Sequence, residues 1–118
     1  MEFKIINLNV WLGGKLMPQI LDFLKQENAN ILNLQEVRRE NSKNIPQIET
    51  LLREQLDYSY SFFAPAFFDT VENCDSGNLI LSKFPIIKSE TIFIYGAYSK
   101  HIHGQNPEYF PSIPRNLS

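Results

Sequence analysis

Residues 3–36 read FKIINLNVWLGGKLMPQILDFLKQENANILNLQE, and their changing periodicity decides the fold class. Residues 3–11 alternate: Ile6, Leu8 and Val10 share one apolar face, while Ile5, Asn7, Asn9 and Trp11 share the other. Gly13-Gly14 breaks this strand, and residues 15–28 switch to helical spacing. Leu16, Ile20, Phe23 and Leu24 define the apolar stripe, with Lys25, Gln26 and Glu27 turned outward. A second apolar strand at 31–35 ends on the charged Glu36. Strand, helix, strand at this spacing predicts a βαβ unit with two parallel strands and a right-handed crossover.

Beyond this unit, a helix is expected from about Pro46 to Leu56, with Ile45, Ile48, Leu51, Leu52 and Leu56 on one face. Asn44 is a candidate cap and Pro46 fits the first turn. Tyr58 to Ala64 reads as a strand stopped by Pro65, and residues 69–77, DTVENCDSG, as an acidic turn-rich loop. Strands are expected at 77–86, ended by Pro85, and at 87–97. From Ser99 the chain is polar, has three prolines and shows little periodicity. There is no internal repeat.

The 118 residues suit one domain, and 43% hydrophobic with 20% charged residues is the balance of a globular chain. A formal charge of −2 argues against a general electrostatic clamp on nucleic acid, though a local basic rim remains compatible with it. The single cysteine, Cys74, excludes an intrachain disulfide and a cysteine-rich zinc site. No apolar run approaches the ~18 residues of a membrane span. Asn7 and Asn9 interrupt any signal-peptide core, so the expected location is cytoplasmic.

Candidate chemistry lies at the strand ends, where ligands gather in open α/β sheets. Asn9 closes the first strand and Glu36 the second. On spacing alone the two residues fit either of two roles. They cap loop backbone groups, or they supply oxygen ligands to a hard cation such as Mg²⁺. His101 and His103 lie in a polar stretch and read as solvated imidazoles. Asp69, Glu72 and Asp75 read as a solvated loop face, and Cys74 as an inert thiol with no basic neighbour. The Phe62-Phe63 and Phe67-Phe68 pairs read as packing.

Three blocks change the weighting: N-L-N-V-W at 7–11, L-Q-E-V at 34–37 and G-N-L-I-L-S-K-F-P-I at 77–86. In this order they resemble the N-terminal half of the endonuclease/exonuclease/phosphatase (DNase I-like) superfamily. The resemblance implies a metal-dependent hydrolase of phosphoester bonds, a phosphodiesterase, nuclease or phosphatase. Its fold would be a partial four-layer α/β sandwich, one sheet with its covering helices. It also implies that Glu36 is the metal-binding carboxylate and Asn9 its supporting amide, with Mg²⁺ or Mn²⁺ weakly held. The substrate would be a nucleic acid or a small phosphorylated molecule. Trp11 and Arg38-Arg39 depart from the abasic-endonuclease pattern, which disfavours DNA repair.

The family's second half brings a strand-end His, an Asp-x-Asn segment and a terminal Asp-His pair. The sequence contains neither Asp-x-Asn nor Asp-His, and the two histidines precede Pro114-Arg115-Asn116-Leu117, which is similar to the approach to the family's next core strand. The expectation is therefore that residues 1–118 are the N-terminal portion of one such domain, inactive alone. The alternatives are a non-catalytic α/β binding module, or half of a two-chain enzyme completed by a separate C-terminal half. As one sheet with helices on one face, the isolated chain is expected to leave its other face uncovered and to self-associate.

Overall fold

The computed structural model describes residues 3–10, 14–87, 89, 92–95, 99–101 and 115–117, the last three segments by backbone alone. The predicted βαβ unit is present. Strand β1 (Ile5–Asn9) lies parallel to β2 (Ile31–Glu40), with helix α1 (Met17–Glu27) between them in sequence. The alternation assigns the faces: Ile6 and Leu8 pack against the core and Val10 is buried, while Ile5, Asn7 and Asn9 are exposed. Trp11 lies outside the described residues.

The packed stripe of α1 is rotated from the expected one. Met17, Ile20, Leu21 and Leu24 meet the core, while Leu16 and Phe23 are exposed. Both stripes share Ile20 and Leu24, and Leu16 precedes the first helical residue. The helix stops at Asn28, whose left-handed backbone lets its N–H donate to the Leu24 carbonyl at 3.0 Å.

Helix α2 (Gln47–Leu56) follows the second strand. Its cap position is taken by Pro46 in extended conformation, without a side-chain cap, so Asn44 does not serve. Ile48 and Leu52 are buried, but Ile45, which precedes the helix, is exposed. Glu49 is buried beside them, and among the described residues its Oε2 has no hydrogen-bond partner. The Tyr58 hydroxyl closes the bottom of the core by donating to the Ala29 carbonyl at 2.7 Å.

Strand β3 (Tyr60–Asp69) runs on through Pro65, contrary to the expected stop there. Pro65 is tolerated because among the described residues only one neighbouring strand meets it: β4 (Cys74–Ser82) pairs at that level, whereas β6 (Ser99–His101) begins alongside Phe67. The expected acidic loop shrinks to a turn. The Asp69 carboxylate accepts the Val71 and Glu72 N–H groups at 3.0 and 3.1 Å, and β4 starts at Cys74.

Strand β5 (Ile92–Tyr95) is a short version of the element expected at 87–97. The stretch from Ser99, expected to lack elements, contributes β6 (Ser99–His101) and β7 (Arg115–Leu117). The main sheet has the order β1-β2-β4-β3-β6, and β5 and β7 form a two-stranded sheet with β7 lying against β3 and β4.

Both helices bury their stripes on one face of the main sheet. Leu32, Leu34, Val37, Leu79 and Leu81 meet Leu24, Ile48, Leu52 and Tyr58 there, all fully or almost fully buried. On the opposite face Ile5 is 56% exposed. No helix among the described residues is long and apolar enough to cross a membrane.

Candidate functional site at a double bulge

The expected end of β2 at Glu36 is instead a bulge, after which the strand continues to Glu40. Leu34 pairs with Leu79 and Val37 with Gly77, so Gln35 and Glu36 together oppose the single residue Asn78. A second irregularity sits on the other side of β4: Pro65 pairs with Gly77 and Phe67 with Ser76, leaving Ala66 extra. The central strand is thus flanked by two bulges at one level. Gly77 sits between them at closest approach, where a Cβ would lie 2.1 Å from the Ala64 carbonyl oxygen. Only glycine fits that contact.

Glu36 takes the left-handed conformation, with φ of 58°. For an L-residue with a Cβ this costs of order 1–3 kcal/mol, and glycine is the residue that relieves it at a bulge. A carboxylate is kept there at that cost. The bulge sets Glu36 beside the end of β1, because Asn9 is in register with Gln35 and the Val10 N–H donates to the Gln35 carbonyl at 3.0 Å. With strands ~4.8 Å apart, Asn9, Glu36 and Asn78 form a row across three neighbouring strands. Each of the three already has an interaction partner.

The face away from the helices is rich in side-chain amides. Asn7 pairs with Asn33 and Asn9 with Gln35, and Asn78 stands opposite to the inward Leu79. Asn78 was not among the residues singled out by sequence. Its signal is the one applied to Asn9, an amide inside an otherwise apolar strand.

Past the bulge, β2 carries two arginines with different surroundings. The Arg39 guanidinium is paired with Asp75 at 2.7 Å and lies over the Phe63 ring, 5.1 Å from its centroid. Arg38 is half-buried and opposite Ser76. Arg38 also lowers the pKa of the Cys74 thiol, a basic influence that the sequence did not reveal. Burial outweighs it, helped by Asp69, Glu72 and Asp75, and the thiol is pushed up overall.

The acidic residues of 69–77 do not form one solvated face. Asp69 is buried in its turn and Asp75 is paired with Arg39, while Glu72 is exposed. His101 belongs to β6, in register with Asp69, rather than to a loop, and His103 lies outside the described residues.

Among the described residues no three His, Cys, Asp or Glu side chains converge as a metal cluster. What the row offers is one carboxylate and two amide oxygens. These are hard donors of the kind Mg²⁺ and Mn²⁺ accept when water and substrate oxygens complete the shell.

No protein-family model and no curated protein matches the sequence. Solved structures do match the fold. An endonuclease/exonuclease/phosphatase family protein from Leptotrichia buccalis C-1013-b superposes with a TM-score of 0.65 at 17% identity, covering 83% of this chain and 44% of its own. An endonuclease/exonuclease/phosphatase from Beutenbergia cavernae DSM 12333 gives 0.61 at 16% identity, covering 79% of this chain and 28% of its own. The α/β fold is that of these DNase I-like proteins, and the chain spans less than half the length of either.

Proposed function

We propose that residues 1–118 form the N-terminal portion of a divalent-metal-dependent phosphoester hydrolase domain, holding the metal side of its site. The observation that carries this reading is the strained backbone of Glu36, which sets a carboxylate residue in a bulge level with Asn9 and Asn78. Strain of that size at a polar strand position is what a binding function maintains against the relaxed alternative, glycine. The fold shared with endonuclease/exonuclease/phosphatase proteins supports the reaction class.

In this reading Glu36 is the main protein ligand of Mg²⁺ or Mn²⁺, and Asn9 supports it. The cation, when bound, polarises the phosphoryl oxygen and stabilises the leaving oxygen. The chain's own part is positional: β1 and β2 hold Asn9 and Glu36 in register, and Asn78 presents its amide to the same row. A phosphoester of a nucleic acid or of a small phosphorylated molecule would lie across the amide-rich face.

Groups that would activate the attacking water are not encoded here, since the sequence has neither Asp-x-Asn nor Asp-His. General acid–base catalysis is worth ~10²–10⁴-fold. A transition-state donor adds about 10²–10³-fold. Losing both leaves the chain without measurable turnover, and a complementing C-terminal half would restore it.

The test is a Mg²⁺ or Mn²⁺ titration of the wild type and Glu36→Gln, following amide chemical shifts near Asn9. A saturable, weak response that vanishes in Glu36→Gln is expected. Equal responses in both proteins would refute the assignment. Turnover of an aryl phosphodiester that survives repurification and disappears in Glu36→Gln would overturn the claim of inactivity.

A further inference from the structure

Past its bulge, β2 has two ways to pair with β4. In the structure Val37 stands opposite Gly77, Arg38 opposite Ser76 and Arg39 opposite Asp75. In a flush register, without the bulge, Glu36 would meet Gly77, Val37 would meet Ser76 and Arg38 would meet Asp75. A one-residue slip also exchanges the faces, so Glu36 and Arg38 would turn to the helix side, and Val37 and Arg39 away from it. Both registers offer Asp75 an arginine, because residues 38 and 39 are both arginine.

Val37 favours the bulge, since it is buried in the core there. The left-handed backbone of Glu36, with φ of 58°, opposes it. The remaining weight is on Arg39, whose guanidinium lies 2.7 Å from the Asp75 carboxylate and 5.1 Å from the centroid of the Phe63 ring. Phe63 pairs with Leu79, as Leu34 does, so the ring lies before the bulge and Asp75 beyond it. One mostly buried side chain thus ties β2 to both β4 and β3 across the bulge. An ion pair of this kind adds little net stability, and its best-attested use is to fix a register.

We infer that Arg39 is a positioning residue: its pair with Asp75 holds β2 in the bulged register and so keeps Glu36 level with Asn9 and Asn78. The consequence for cation binding rests on the reading of Glu36 as a metal ligand. The register itself does not.

The deciding experiment is NMR on the full chain, with cross-strand NOEs reporting the register and a Mg²⁺ titration reporting the site. The wild type should pair Val37 with Gly77. Arg39→Gln leaves Arg38 as the arginine that can meet Asp75, and should populate the flush register with Val37 against Ser76. Arg38→Gln, an equal loss of charge, should keep the wild-type pairing. Apparent affinity scales with the competent fraction, so a bulged population of about one tenth should weaken Mg²⁺ binding about tenfold. A residue that only stabilised the fold would not produce that match. The charge-swapped double variant Arg39→Asp with Asp75→Arg should regain the bulge, since the flush pairing would set Arg38 against the new arginine.

Wild-type NOEs in Arg39→Gln, or undiminished Mg²⁺ affinity in a flush protein, would overturn the inference. If Arg39→Gln does not fold, the swapped protein decides: a bulged fold supports the role of Arg39, and a flush or unfolded one overturns it. A register shift in Arg39→Gln with no Mg²⁺ response in the wild type keeps the positioning role and removes the cation reading. A wild-type Mg²⁺ response with unmoved NOEs in Arg39→Gln does the reverse.

Discussion

The two faces of the main sheet are built from the same strands and carry different chemistry. Toward the helices they present Leu32, Leu34, Val37, Leu79 and Leu81, each fully buried. Away from them they present Asn7, Asn9, Asn33 and Asn78, exposed or half-buried. Strand alternation makes this division possible, since neighbouring residues point to opposite sides. The buried core is concentrated on the apolar side, and the amide-rich side carries the row of Asn9, Glu36 and Asn78. The bulge at Glu36 lies at the boundary of the two roles: it interrupts the ladder, yet Val37 returns to the core immediately after it.

The difference between the faces is most severely tested where both depend on one residue. Gly77→Ala would drive a Cβ into the Ala64 carbonyl between two bulges. A loss above about 4 kcal/mol, or failure to fold, is expected in denaturant unfolding. A smaller contrast comes from matched truncations. Leu79→Ala, on the helix side, should cost about 2–5 kcal/mol. Ile5→Ala, on the open side, should stay within about 0.5 kcal/mol. Comparable losses at the two positions would erase the distinction.

The gentlest probe is pH. Burial, reinforced by Asp69, Glu72 and Asp75, raises the Cys74 thiol above its unfolded value, against the pull of Arg38. A raised acid contributes stability below the unfolded pKa and loses it as pH rises, so the decline should begin near about pH 8.5. Thermal melts across that range should show a shallower decline in Cys74→Ala. Native protein should also resist alkylation that the unfolded chain undergoes readily.

The βαβ unit was legible because periodicity is local: alternation in 5–9 and helical spacing in 17–27 require no knowledge of distant residues. The continuation of β2 was not. After Glu36 the chain reads Val-Arg-Arg-Glu, which resembles a charged loop until Arg39 finds Asp75, thirty-six positions away, and stacks on Phe63. Pro65 looked like a stop because its tolerance depends on a bulge and on where β6 begins. Strands β6 and β7 are too short for any periodic signal. Of the proposed site, Asn9 and Glu36 were visible as polar residues at strand ends. Their alignment with Asn78, and the left-handed backbone at Glu36, follow from cross-strand register that no local pattern encodes.

The central claim is that Glu36 is held in strain for cation binding, and thermal melts of wild type and Glu36→Gly with and without Mg²⁺ test it most directly. Glycine relieves the left-handed strain, so the variant should melt higher than the wild type without metal, by roughly the equivalent of 1 kcal/mol. Saturating Mg²⁺ should raise the wild-type midpoint, since a ligand of the folded state stabilises it. The same addition should leave Glu36→Gly unmoved. A variant that melts no higher than the wild type and still gains the full Mg²⁺ shift would contradict the account.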